Sequence, residues 1–138
     1  MKTAIVLFNL GGPDSPEAVR PFLTNLFNDP AILRVPAIFR NSLAWWIAWR
    51  RSKNARAIYQ KIGGKSPILE RTQAQAAALE DMLKPEGEYK TFVSMRYWHP
   101  MSSTVIKNIQ AWQPERIILL PLYPQFSTTT TASSFADW

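Results

Sequence analysis

The sequence predicts an α/β fold, a parallel sheet flanked by helices, and three observations carry that prediction. Thr3 to Leu10 is a β-rich run that is apolar on both faces, as expected of a strand buried in a parallel sheet. Ile117 to Leu120 repeats that character near the other end of the chain. Between the two lie long stretches with apolar residues at helical spacing, where an antiparallel protein would carry short hairpin turns.

The elements follow in order. Gly11-Gly12-Pro13 ends the first strand, and Asp14 or Ser15 is placed to cap a helix, with Pro16 early in the first turn and Glu17 in the capping-box position. Val19, Phe22, Leu23, Leu26 and Phe27 make one apolar face that ends near Asn28-Asp29-Pro30. Pro30 and Pro36 cut the next segment, from which two helices are expected, about Ala37 to Arg50 and Lys53 to Ile62. Gly63-Gly64-Lys65 ends the second. Ser66 as N-cap and Pro67 at the first helical position then open a helix through Leu83, supported by alanine at 74, 76, 77 and 78.

Tyr89 to Tyr97 reads as the second strand, Ser102 or Ser103 to Trp112 as a helix, and Arg116 to Leu120 as the third strand. Its apolar run makes that strand central or parallel, and Pro121 is expected to stop its ladder early. A hydroxyl-rich turn, Ser127 to Thr131, precedes what reads as the first turns of a further helix, Ala132 to Trp138. The sum is a Rossmann-like βαβαβ unit, half of a doubly wound sheet. A sheet stopping there is one-sided, so the expectation is the front half of a longer protein; a complete small α/β domain is the alternative.

Composition narrows the function classes. A chain of 138 residues is one domain at about 150 residues per domain. With 46% apolar and 19% charged residues it is globular rather than disordered. The absence of cysteine excludes a disulfide scaffold, a thiolate zinc site and a cysteine nucleophile, and fits a reducing, cytoplasmic setting. No secretory signal is visible, and the longest apolar run in the basic region, Leu43 to Trp49, is far short of the roughly 20 residues of a bilayer span.

Net charge is +6, and eight of the basic residues lie between Pro30 and Leu69, where no acidic residue occurs. That field favours an anionic partner such as a carboxylate, a phosphate or an anionic membrane surface, or else is a solvated face. No nucleic-acid recognition motif accompanies it, so nucleic acid is not expected.

In open α/β sheets ligands bind beyond the carboxyl ends of the strands. Three segments occupy that edge: Asn9 to Pro13, Met95 to Pro100, and Tyr123 to Ser127 with its threonines. Gly11-Gly12 matches no dinucleotide fingerprint and no P-loop lysine follows a strand, so the glycines read as a tight turn needing positive φ. Arg96 and Tyr97 either orient a planar anionic substrate, or pair with a carboxylate and pack in the core. His99, the only histidine, has no acidic neighbour in sequence and reads as structural or solvent-facing.

Trp45, Trp46 and Trp49 stand out on the basic segment. Each buried Trp removes about 150–250 Å² from water, or about 4–6 kcal/mol. Something should therefore cover them: core, a subunit, a planar ligand or lipid. Core packing of at least two is expected, and an interfacial helix is the alternative. Ser66 at a helix start beside Lys65 serves either as a simple cap or as an anion site.

Taken together, four segments resemble the amino-terminal half of the ferrochelatases, enzymes that insert ferrous iron into a porphyrin in haem synthesis. They are Leu-Phe-Asn-Leu-Gly-Gly-Pro (7–13), Tyr-Gln-Lys-Ile-Gly-Gly-Lys-Ser-Pro-Ile (59–68), Met-Arg-Tyr-Trp-His-Pro (95–100) and Leu-Tyr-Pro-Gln-Phe-Ser with the following Ala-Ser-Ser (122–134). Any one is weak; four in the family's order are specific.

The resemblance implies a chelatase-type half over residues 1–138, with the carboxyl-terminal half absent. It implies porphyrin contacts at Arg51, Tyr59 and Ser66, with Arg51 and Ser66 meeting propionates. Leu10 and Tyr123 would line the pocket, and Arg96 with Tyr97 would support its wall. Leu10 stands where some members carry a metal-ligating tyrosine, so no axial ligation is expected from it. The Trp-rich helix matches the family's greasy active-site lip, which faces the membrane in some members, so peripheral membrane contact is implied. The family's catalytic histidine and acidic residue lie in the other half, and its Ser-Ala-His-Ser-type segment does not occur here. No bound cofactor is expected, since iron and porphyrin are substrates. Exposed sheet edges leave room for a homodimer. A non-catalytic anion- or membrane-surface module is the competing reading.

Overall fold

The computed structural model describes all 138 residues. Three parallel strands, β1 (Lys2–Asn9), β2 (Glu88–Met95) and β3 (Arg116–Pro121), form one sheet in the order β2-β1-β3. The helices are α1 (Val19–Phe27), α2 (Ala37–Gln60), α3 (Ile68–Leu83), α4 (Ser102–Trp112) and α5 (Thr131–Asp137). The predicted α/β class and parallel sheet are observed.

β1 is central, and it alone is buried on both faces along most of its length, from Thr3 to Phe8. Ala4, Val6 and Phe8 pack on Val105 and Ile109 of α4, while Ile5 and Leu7 pack towards Ala76 of α3. Period-two alternation thus feeds two cores, one on each side of the sheet. In register, Ile5 lies between Thr91 of β2 and Ile118 of β3.

β3 is parallel but outermost, with Ile117 and Ile118 47% and 38% exposed. Its apolar sequence therefore marks an uncovered edge rather than the sheet centre. Pro121 does not shorten the pairing: it lies in register with Phe8, and Leu122 N–H donates to the Phe8 carbonyl at 2.9 Å. Successive N–H groups alternate sides, so the donor that proline lacks falls on the free edge. On the opposite edge, the Glu80 carboxylate of α3 accepts both the Thr91 N–H (2.7 Å) and the Thr91 hydroxyl (2.8 Å), which shields β2 from further pairing.

Two helical expectations are corrected. The segment expected as two helices is one 24-residue helix, α2. Nothing between 37 and 60 breaks a backbone: the Arg50-Arg51 pair is charge, not glycine or proline. Ser52 sits in mid-helix and turns its hydroxyl back to the Trp49 carbonyl at 2.9 Å. The tryptophans are also not core, with Trp45, Trp46 and Trp49 52%, 51% and 53% exposed. α2 buries instead the small stripe Ala44, Ala48 and Ser52, spaced four apart, while the bulky rings face outward. Arg20 covers Trp45 at 4.6 Å and Arg50 lies 5.7 Å from the Trp46 ring. At α1, Asp14 is exposed and the helix begins four residues later than its capping signal, with the Ser15 hydroxyl accepting the Ala18 N–H at 3.2 Å.

Candidate functional site

β1 ends where the strand order reverses, and the backbone there turns through Gly11 at φ +85°. A side chain at 11 would also meet Met95 Cβ at 3.1 Å and Trp98 N at 3.2 Å, so only glycine fits. Leu10 and Gly11 form the floor of a cleft of about 420 Å³. One wall is α1, through Phe22, Leu23, Leu26 and Phe27, and the other is α2, through Arg51, Asn54, Ala55, Ile58 and Tyr59. The α2 residues recur at three and four, which aligns them on one face.

The cleft is apolar inside and cationic at its rim. The Arg51 guanidinium lies 5.6 Å from the Phe27 ring. None of the ion pairs in the protein uses Arg51, so no carboxylate competes for it. Burial pushes the Tyr59 phenol above its ordinary pKa of 10.0. A second groove of about 430 Å³, between α3, β2 and α4, carries the Glu80 and Asp81 carboxylates and would repel an anionic ligand.

Of the seven predicted site residues, the fold brings Leu10, Arg51 and Tyr59 into this one cleft. Ser66 is outside its lining but adjoins the floor. A Cβ on Gly12, next to the floor residue Gly11, would lie 2.5 Å from both Ser66 Cβ and Oγ. Ser66 N–H donates to the Pro13 carbonyl at 2.8 Å, and its hydroxyl accepts the Ile68 N–H at 3.3 Å. The helix starts one residue later than expected: Pro67, whose carbonyl accepts the Arg71 N–H, is the N-cap, and Ser66 precedes it. Lys65 is taken up by Glu70, so the anion site sketched from Lys65 and Ser66 rests on Ser66 and backbone alone.

Arg96, Tyr97 and Tyr123 belong to a different cluster, beyond the ends of β2 and β3. Tyr97 is fully buried and its hydroxyl donates to Asp29 at 2.5 Å. Arg96 Nε donates to Ser133 at 2.8 Å, and its guanidinium lies 3.5 Å from both Asp29 and Asp137. Tyr123 shares a hydrogen bond with Ser134 at 2.9 Å. Arg96 thus pairs with carboxylates and Tyr97 packs in the core. Burial raises the Tyr97 phenol far above its ordinary range, and the bond to Asp29 adds to that shift. His99 is exposed, as expected.

Asp29 is the residue the sequence did not single out. It is 4% exposed and receives hydrogen bonds from Tyr97, from Ser133 and, at 2.8 Å, from the Ala31 N–H. Burial alone would raise its pKa, but these bonds and Arg96 hold it below the ordinary 3.8. Within Asn-Asp-Pro it looks like any turn-forming aspartate, and its partners come from 68 and 104 residues away.

These features define a parallel α/β half-domain of the chelatase type, with an apolar, cation-rimmed cleft at its strand ends. The ferrochelatase family model matches residues 2–138, and the chain belongs to that family. It is 56% identical over 141 residues to the ferrochelatase of Phenylobacterium zucineum (strain HLK1), covering 100% of this chain and 41% of that protein. Against the ferrochelatase of Caulobacter vibrioides (strain NA1000 / CB15N) it is 54% identical over 140 residues, 99% of this chain and 40% of the relative. For that of Thermosynechococcus vestitus (strain NIES-2133 / IAM M-273 / BP-1) the values are 48% over 136 residues, 97% and 35%. The chain therefore spans about two fifths of the length of these relatives.

Proposed function

We propose that this chain supplies the porphyrin-binding wall of a ferrochelatase, an enzyme that inserts ferrous iron into a porphyrin in haem synthesis. The observation that carries the reading is the convergence of Leu10, Arg51 and Tyr59 on one cleft. A porphyrin is a flat apolar ring with propionate carboxylates. Phe22, Leu26, Phe27 and Ile58 offer apolar contact to the ring, and the unpaired Arg51 offers a propionate its charge. At about 420 Å³ the cleft is within the roughly 300–1,000 Å³ of small-molecule sites. Tyr59 donates from the same rim, while Ser66 presents its hydroxyl beside the floor. Arg96, Tyr97 and Tyr123 act behind the wall rather than on the ring.

Iron and porphyrin are substrates in this reading, and no resident metal is required of these residues. Metal insertion needs groups that accept the pyrrole protons. The cleft holds no carboxylate and no histidine, so the chain by itself binds porphyrin without metallating it. Titration with protoporphyrin, followed by tryptophan quenching, tests this. Saturable binding that survives moderate salt is expected. Arg51→Ala should weaken it about three- to tenfold, the worth of a partly exposed charged hydrogen bond. Wild-type-like binding by an Arg51→Ala, Tyr59→Phe double variant would refute the assignment, and iron or zinc insertion by the chain alone would refute the division of labour.

Peripheral contact with an anionic membrane is a second reading, carried by the exposed Trp45, Trp46 and Trp49 on a helix that also exposes Ile38 and Phe39. No helix is long and apolar enough to cross a membrane. A cytoplasmic setting and pairing of two copies through the bare β3 edge are part of the same proposal.

A further inference from the structure

The three polar groups of Tyr97 reach three different parts of the cleft frame. Its N–H donates to the carbonyl of Leu10, the cleft floor, at 3.0 Å. Its carbonyl accepts the Asn25 side-chain amide of α1 at 3.0 Å, and its hydroxyl reaches Asp29, two residues past the end of α1. The carboxylate of Asp29 is fixed in turn by Ser133 of α5 and by the Ala31 N–H. So the helix that walls the cleft is tied to the sheet at two points about one turn apart, Asn25 and Asp29. Of these, Asp29 is the better anchored, being almost wholly buried.

From this we infer that Asp29 is a positioning residue: acting through Tyr97, it holds the α1 wall at its distance from the Leu10 floor and so sets affinity without touching ligand. The inference rests on the cleft being the porphyrin site. Removing the tie keeps every cleft-lining side chain but leaves Asn25 as the remaining side-chain link to Tyr97, which loosens the end of α1 that carries Leu26 and Phe27. A flat ligand is sensitive to that, because its two faces need walls at a fixed spacing.

The experiment compares Asp29→Asn, Tyr97→Phe, their double variant and Val105→Ala, a core truncation on the α4 side of the sheet that destabilises without contacting α1. All are assayed as the full 138-residue chain, under conditions where circular dichroism shows them folded. With protoporphyrin as probe, each single tie variant should lose about fivefold in affinity. The double variant should lose no more than either single, since both cut one connection. Val105→Ala should bind as the wild type does.

A second readout needs no porphyrin. The chain has no cysteine, so a nitroxide pair at Pro21→Cys and Ser103→Cys, both exposed, reports the distance from α1 to the sheet's α4 side. That distribution should broaden in Asp29→Asn and stay narrow in Val105→Ala. Unchanged affinity in Asp29→Asn, an equal loss in Val105→Ala, or an unchanged distance distribution each overturns the inference. If the wild type binds no porphyrin, the functional reading fails, and the nitroxide distances still decide whether Asp29 holds α1.

Discussion

Replacing Gly12 with alanine puts a definite load on the join between the cleft floor and α3. The new Cβ would sit 2.5 Å from Ser66 Cβ and 2.5 Å from Ser66 Oγ. Carbon–carbon contacts favour about 3.5–4.0 Å, so roughly 1 Å of separation has to be opened. Rotating the Ser66 side chain clears Oγ but not Cβ, which moves only with the backbone. That backbone is pinned by its N–H bond to Pro13. Overpacking of this kind costs about 1–3 kcal/mol, or roughly 4–12 °C in melting temperature for a chain of this size. The assay is thermal unfolding of Gly12→Ala, Ser66→Gly and the double variant. Ser66→Gly alone removes a long hydroxyl bond to the Ile68 N–H and should cost less than about 1 kcal/mol. In the double variant the clashing atoms are gone, so most of the loss should be recovered. A Gly12→Ala protein that melts with the wild type, or one that Ser66→Gly fails to rescue, would refute the steric reasoning.

Three further outcomes follow from the buried polar cluster and the exposed tryptophans. The pKa of Asp29 is lowered by folding, so its share of stability is present above the ordinary 3.8 and lost as pH falls through the folded value. Urea midpoints should be level from neutrality to about pH 5 and fall below about pH 4, with a shallower fall in Asp29→Asn. The Tyr97 phenol is shifted the other way, so its contribution is present below the ordinary 10.0 and lost as pH rises further. Tyr97→Phe should flatten that alkaline loss. Replacing Trp45, Trp46 and Trp49 together by serine should abolish flotation with phosphatidylserine vesicles; the protein should stay folded by circular dichroism but melt lower, because each ring is still about half buried. Flotation as strong as the wild type's would refute the membrane role.

How much of this was legible in the sequence varies with the range of the interaction. β1 could be read because its signal is local: a run from Ala4 to Phe8 that is apolar on both faces has few other places to go. The glycine turn at 11 was legible for the same reason, and the start of α3 to within one residue. α2 was misread as two helices because Arg50-Arg51-Ser52-Lys53 interrupts the apolar pattern, although nothing there interrupts the backbone. The fate of the tryptophans depended on which face of α2 meets α1. Small residues spaced four apart decide that, and three large rings distract from them.

By itself, then, the sequence determined the α/β class, the strands and the family, and the resemblance to that family singled out Leu10, Arg51 and Tyr59 as candidates. Strand order, the bare β3 edge, the outward tryptophans and the Asp29–Tyr97 tie were decided only by tertiary structure. Each depends on which distant segments compete for the same neighbours. β1 outcompetes β3 for the sheet centre because helices cover it on both faces. Asp29 becomes a buried anchor only when Tyr97 and Ser133, far along the chain, arrive with hydroxyls to offset the loss of water.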